Sequence, residues 1–146
     1  MIERAAILVL VSALVVLGVL IARSWSLRNV ARLRAAGSQA LWTALGESPD
    51  GRPSLVVFST PSCAVCRTAQ SPAVLALESR FGEELRVLKV DLSTRPSVGE
   101  AFRVLTAPTT VVLGGDGRVG SVNHGFAAAE RLIAQIDAVR VAGEAV

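Results

Sequence analysis

The sequence predicts an α/β protein with a mixed central sheet flanked by helices, preceded by an N-terminal transmembrane helix. Three observations carry this reading. From Ser54 onward, short apolar runs of strand character alternate with stretches whose apolar residues recur at helical spacing. The last two strand-like runs are joined by Gly-Gly-Asp-Gly and pair antiparallel, whereas strands separated by a helix pair parallel. Ala5 to Ala22 carries no charge; at about 1.5 Å per helical residue it reaches roughly 27 Å, close to the hydrocarbon thickness of a bilayer.

Composition bounds the rest. At 146 residues the chain suits one domain with a real core and is too short for two comfortable ones. Hydrophobic residues make up 51% and aromatics 4%, so part of the apolar content lies outside a globular core, in the N-terminal run. A cleaved signal peptide has a basic n-region, a shorter apolar stretch and a small-residue cleavage site. Here Glu3 and Arg4 are the whole n-region, the run is long, and "VLIARSWS" is a poor cleavage motif. The expectation is an uncleaved, single-pass anchor at residues 1–23.

Charge is uneven. Arg23, Arg28, Arg32 and Arg34 follow the apolar run, while from Ala35 onward ten basic side chains face eleven acidic ones, so the formal net charge of +3 belongs to the neck. The folded part has no basic face and no interleaved aromatics for stacking bases, which excludes a nucleic-acid partner. The arginines read as a topological signal that keeps their side of the membrane cytoplasmic, with contact to anionic headgroups as a further use.

The elements follow in order. Asn29 to Ser48 places Val30, Leu33, Leu41, Trp42 and Leu45 at the spacing of an amphipathic helix weakened at Gly37-Ser38, a juxtamembrane helix that packs on the domain or lies at the interface. "SPDGRP", Ser48 to Pro53, breaks it. Residues 24–51 are thus basic helix and linker, and residues 52–146 the domain. "SLVVFS" is a continuously apolar run, as in a buried strand. Val65, Ala69, Val74, Leu77 and Phe81 mark a helix from Cys63 to about Phe81, stopped by Gly82. Leu85 to Ser93 reads as a strand, Ser97 to Phe102 as a short helix, and Thr109 to Leu113 with Val119 to Asn123 as a hairpin. Leu132, Ile133, Ile136 and Val139 place a closing amphipathic helix in "FAAAERLIAQIDAVRVAG".

The only two cysteines, Cys63 and Cys66, stand where the first strand gives way to the first turn of that helix. A zinc site needs about four ligands; the chain has no third cysteine, one histidine (His124) and no suitably spaced carboxylates, so no metal and no separate cofactor is expected. A structural disulfide closing so small a loop constrains an unfolded chain poorly. Inert buried thiols remain an alternative. Position favours redox chemistry: unpaired backbone N–H groups and the dipole at a helix start stabilise a thiolate, and i, i+3 spacing puts both sulfurs on one side of the turn. Cys63 is then the nucleophile and Cys66 the resolving thiol.

From about Ser54 to Val141 the chain resembles the thioredoxin family, through "SLVVF" leading into Cys63-Ala64-Val65-Cys66, "VLKVDL", "VLTAPTTVVL" and "GDGRVGSVNHGF". The resemblance implies a thioredoxin-like fold, a cis peptide before Pro108 lying against the disulfide, and a substrate-binding set of Ala107, Pro108 and Thr109, with Ala107 presenting its backbone to a substrate segment. It implies protein thiols or disulfides as partners, with electrons from a thioredoxin reductase or a membrane thiol carrier. "FSTPSCAVC" is also similar to membrane-anchored thiol–disulfide proteins of methylamine dehydrogenase maturation, which work outside the cytoplasm; that face is the alternative to the cytoplasmic one. Departures are visible. The family's usual Trp-Cys-Gly-Pro-Cys is replaced, Val57 stands where a buried acid often assists the second cysteine, Lys89 matches a lysine that accompanies that acid, and Pro72 follows Cys66 by six residues instead of five.

The expected function is a membrane-anchored thiol–disulfide oxidoreductase, in the reductase direction because Ala64-Val65 adds no positive charge near Cys63. Arg67 is read as a solvated helix residue or a modulator of the neighbouring thiol, and His124 as an edge-strand residue outside the chemistry. The alternative is a membrane-tethered binding module on the same scaffold, without redox turnover.

Overall fold

The computed structural model describes residues 10–24, 28 and 37–144. The chain divides into two compact units, Met1–Arg32 and Leu33–Val146. In the first, residues 10–24 form helix α1, whose apolar side chains, Leu10, Leu14, Leu17 and Ile21 among them, are exposed. Among the described residues no helix is long and apolar enough to cross a membrane; residues 1–9 of the expected anchor lie outside them.

The second unit begins its described part with helix α2 (Ser38–Leu45), followed by β1 (Ser54–Ser59), α3 (Ser71–Phe81), β2 (Arg86–Asp91), α4 (Pro96–Ala101), β3 (Thr109–Leu113), β4 (Val119–His124) and α5 (Ala129–Glu144). The sheet has the order β2-β1-β3-β4. β1 pairs parallel with β2 and antiparallel with β3, and β3 pairs antiparallel with β4. This is the mixed α/β sheet that the strand and helix order predicts.

β1 is apolar from Leu55 to Phe58 because it is central and both its faces are covered. Val56 and Phe58 join one core with Leu41, Trp42 and Leu45 of α2, Val90 of β2 and Val98 and Phe102 around α4. Leu55 and Val57 point the other way, into a core with Val74, Leu77 and Phe81 of α3 and Leu132 and Ile136 of α5. Alternate residues of one strand thereby bind two helical layers to one sheet.

Two readings of local sequence change in three dimensions. Gly37-Ser38 is a helix start instead of a weak middle: Gly37 caps α2, and Gly46 closes it in the left-handed conformation. Val30 and Leu33 lie outside the described residues. α2 belongs to the core, its Trp42 indole N–H donating to the Gly117 carbonyl at 2.9 Å, so the linker at residues 48–53 is internal to the second unit, and the division drawn at residue 52 falls within it. In the hairpin, pairing runs Val112↔Ser121 and then Leu113↔Val119, skipping Gly120. A Cβ at Gly120 would stand 2.3 Å from Val139 Cγ1; the bulge lets α5 approach where only glycine fits.

Candidate functional site

The site forms where β1 ends. Thr60 to Cys63 is a turn closed by the Cys63 N–H donating to the Thr60 carbonyl at 3.1 Å, with Pro61 in its second position. Arg67 braces this turn from the helix, its guanidinium donating to the Pro61 carbonyl. Arg67 is therefore committed to the loop backbone.

Cys63 and Cys66 form a disulfide with a Cα–Cα distance of 5.3 Å. Helical conformation starts at Ala64, and the Cys66 N–H donates to Cys63 Sγ at 3.1 Å. This is one of the orphan N–H groups of a helix start, aimed at sulfur. Cys66 is 6% exposed, whereas Cys63 is half-buried. The two sulfurs differ in the sense expected for an attacking and a resolving thiol. Such a bridge can open to two thiols and close again, with Cys63 the sulfur reachable from outside.

Pro72 leaves its mark on this helix. Cys66–Gln70 is a π turn, and the Ser71 N–H reaches back to the Cys66 carbonyl. A proline within a helix has no N–H to give and its ring crowds the carbonyl four residues before it; a wider turn accommodates one extra residue without ending the helix. The additional residue between Cys66 and Pro72 is thus taken up as a bulge.

A cavity of about 320 Å³ lies behind Cys66, bordered among others by Val57, Pro61, Gln70, Val74 and Lys89. Register places Val57 opposite Lys89. With no acid at Val57, Lys89 turns to another element: its amine is 3.4 Å from Glu78 Oε1 on α3, and its side chain is 63% exposed. The lysine that the sequence leaves without its usual partner has found a surface one.

Across the sheet end, Thr109 pairs with Phe58, one residue before β1 ends. Pro108 therefore stands immediately before β3, at the end of the sheet from which the cysteine loop departs, and the Ala107–Pro108 peptide is cis. Ala107 is half-buried and Pro108 buried. Thr109 is fully buried, and its hydroxyl donates to the Thr106 carbonyl at 2.7 Å. Its side chain holds the loop before Pro108 from within. Apolar side chains are exposed at Val65, in the helical turn between the cysteines, and at the loop residues Leu105 and Phe126. At the end of β2, Asp91 Oδ1 accepts the Ser93 N–H at 2.8 Å and the Ser93 hydroxyl at 2.7 Å; these bonds hold its carboxyl below the ordinary value. His124 ends β4, opposite Thr109.

Gln70 escaped sequence reasoning. It is 1% exposed, its amide N–H donates to the Ala127 carbonyl at 3.1 Å, and its carbonyl accepts the Ala127 N–H at 3.0 Å. The loop continues to Gly125, whose N–H donates to the Pro108 carbonyl at 2.8 Å. The signal in the sequence was a polar residue on the inner face of a helix, which periodicity alone does not pair with a partner 57 positions away. α5 begins at Ala129 and not at Phe126, just after the Ala127 backbone that Gln70 holds. Among the described residues no group of three or more histidine, cysteine or acidic side chains gathers to hold a metal ion.

Fold and site together define an α/β protein with a Cys63–Cys66 disulfide at the start of a helix, at the same end of the sheet as a cis-proline loop. The thioredoxin family model matches residues 44–138, and the chain belongs to the thioredoxin family. Thioredoxin 1 of Synechococcus elongatus is 30% identical over 70 residues, 48% of this chain and 64% of that protein. Bacillus subtilis thioredoxin is 30% identical over 78 residues, 53% of this chain and 73% of that protein. The X-ray structure of Fasciola hepatica thioredoxin superimposes with a TM-score of 0.55 at 28% identity, covering 62% of this chain and 83% of the other. The match to the Synechococcus protein thus spans a little under two thirds of its length.

Proposed function

We propose that this chain is a membrane-anchored thiol–disulfide oxidoreductase that reduces protein disulfides through Cys63 and Cys66. The observation that carries the proposal is the Cys66 N–H directed at Cys63 Sγ, in a pair whose outer sulfur is the more exposed. In the reduced protein that N–H and the helix start favour a Cys63 thiolate. The thiolate attacks a substrate disulfide, forming a Cys63–substrate bond and releasing one substrate thiolate, which takes up a proton. Cys66 then loses its proton to solvent and attacks Cys63 Sγ. The Cys63–Cys66 bond forms, the second substrate thiolate leaves, and two electrons have passed from the dithiol to the substrate.

The half-buried Ala107 beside the disulfide loop suits backbone pairing with an extended substrate segment. The absence of a charge in Ala64-Val65 favours reduction over oxidation. For attachment, Ala5 to Ala22 is the uncharged segment, and the arginines at 23, 28, 32 and 34 favour a cytoplasmic domain. Electrons for that face come from a reductase of the thioredoxin type; on the other face a membrane thiol carrier supplies them.

The test is to express the full chain with Cys66→Ser and isolate mixed disulfides from cells. Proteins bonded through Cys63 are expected, and they vanish in a Cys63→Ser control. No trapped partner, with no thiol titrating below the free-cysteine value of about 8.5, would leave the tethered binding module as the better account. Labelling intact cells with a membrane-impermeant alkylating reagent reads the topology: protection of the reduced thiols until lysis supports the cytoplasmic face, and labelling before lysis reverses it.

A further inference from the structure

Gln70 has a role beyond packing. It sits four residues after Cys66, inside the π turn that begins at Cys66. Among the described residues it is the buried polar side chain that lines the cavity Cys66 also lines. A π turn replaces the regular hydrogen bonding of an α-helix with wider i→i+5 bonds, and contacts from outside add support to its shape. Here that support is the paired amide of Gln70, which both donates to and accepts from the backbone of Ala127. Through Gly125 the same loop is bonded to the Pro108 carbonyl. Two sets of hydrogen bonds, joined by the backbone of residues 125–127, therefore connect the turn carrying Cys66 to the cis-proline segment.

We propose that Gln70 is a positioning residue that holds Cys66 in line for attack on Cys63 Sγ in the second, bridge-closing step. The inference rests on the redox reading above. Closure needs the Cys66 sulfur in line with the bond being broken, and a displacement of about 1 Å costs rate out of proportion to stability. The first step uses only Cys63, which Gln70 does not touch.

The reduced full chain is mixed with 5,5′-dithiobis(2-nitrobenzoate), and release of the yellow thiolate is followed in two phases. The first reports attack by Cys63 and the second closure by Cys66. Gln70→Met, close in volume but unable to bond Ala127, is expected to slow the second phase on the order of tenfold while the first stays within about twofold. Gln70→Glu supplies the control. Protonated, its carboxyl donates to the Ala127 carbonyl and accepts its N–H as glutamine does; ionised, it has nothing to donate. Burial favours the protonated form, so its second-phase rate relative to wild type rises towards one as pH falls, while Gln70→Met stays slow at every pH. Equal slowing of both phases, no slowing of either, or a Gln70→Glu deficit independent of pH overturns the inference alone. A wild-type chain that shows no second phase overturns the redox reading and this inference with it.

Discussion

The Cys66 amide donates to the Cys63 sulfur across 3.1 Å, a hydrogen bond that favours charge on Cys63 when the bridge is open. One backbone group thereby adds to a difference between the two cysteines that burial already makes.

Selective alkylation follows from that inequality. In the reduced chain, iodoacetamide near neutral pH is expected to modify Cys63 well before Cys66, with Cys63 titrating below the free-thiol value of about 8.5. Mass spectrometry of the labelled peptides as pH is raised reads this directly, and equal labelling of both positions contradicts it.

Phe58 tests the core beneath the site. It is fully buried and its ring centroid lies 5.3 Å from that of Phe102. Phe58→Ala is expected to cost about 3–5 kcal/mol, the lost transfer energy plus the cavity left behind. Denaturant unfolding gives the value; a loss under about 1 kcal/mol would mean that the two rings do not share a packed core.

Gly115 tests the opposite end of the sheet. A Cβ there would lie 2.3 Å from the Gly51 carbonyl oxygen, a backbone atom that no rotamer change can move. Gly115→Ala is expected to destabilise by about 1–3 kcal/mol through overpacking and to leave Cys63 alkylation unchanged. A neutral melting temperature would show that the linker and the hairpin turn separate freely.

Acid sensitivity has a named contributor in Asp91. Its folded value is depressed below 3.8, first by the Ser93 hydroxyl and then by the Ser93 N–H. A depressed carboxyl stabilises the fold above its unfolded value, and the contribution is lost as pH falls through the folded value. Asp91→Asn, which does not ionise, is expected to show a smaller fall in melting temperature than wild type between about pH 7 and about pH 3. An identical fall in both proteins would remove Asp91 from the acid response.

Much of the architecture was legible in one dimension because strands and helices write their periods locally. "SLVVF" reads as a buried strand because a central strand has no polar face, and the dithiol is recognisable because two cysteines at helical spacing follow it. Helix ends were less legible: a glycine such as Gly37 weakens a helix or caps it, and the difference is set by what packs on either side. The membership of α2 in the core likewise turned on Leu41, Trp42 and Leu45 meeting residues far along the chain.

By itself, the sequence determined the order of elements, the mixed sheet and the position of the two cysteines at a helix start. Only tertiary structure decided that Thr109 faces inward, that Lys89 joins Glu78, that Pro72 is absorbed by a π turn, and that Gln70 ties this turn to Ala127. The physical reason is range. Periodicity reports which face of an element is apolar, whereas a hydrogen bond or ion pair between distant segments depends on register and close packing, which exist only once the chain has folded.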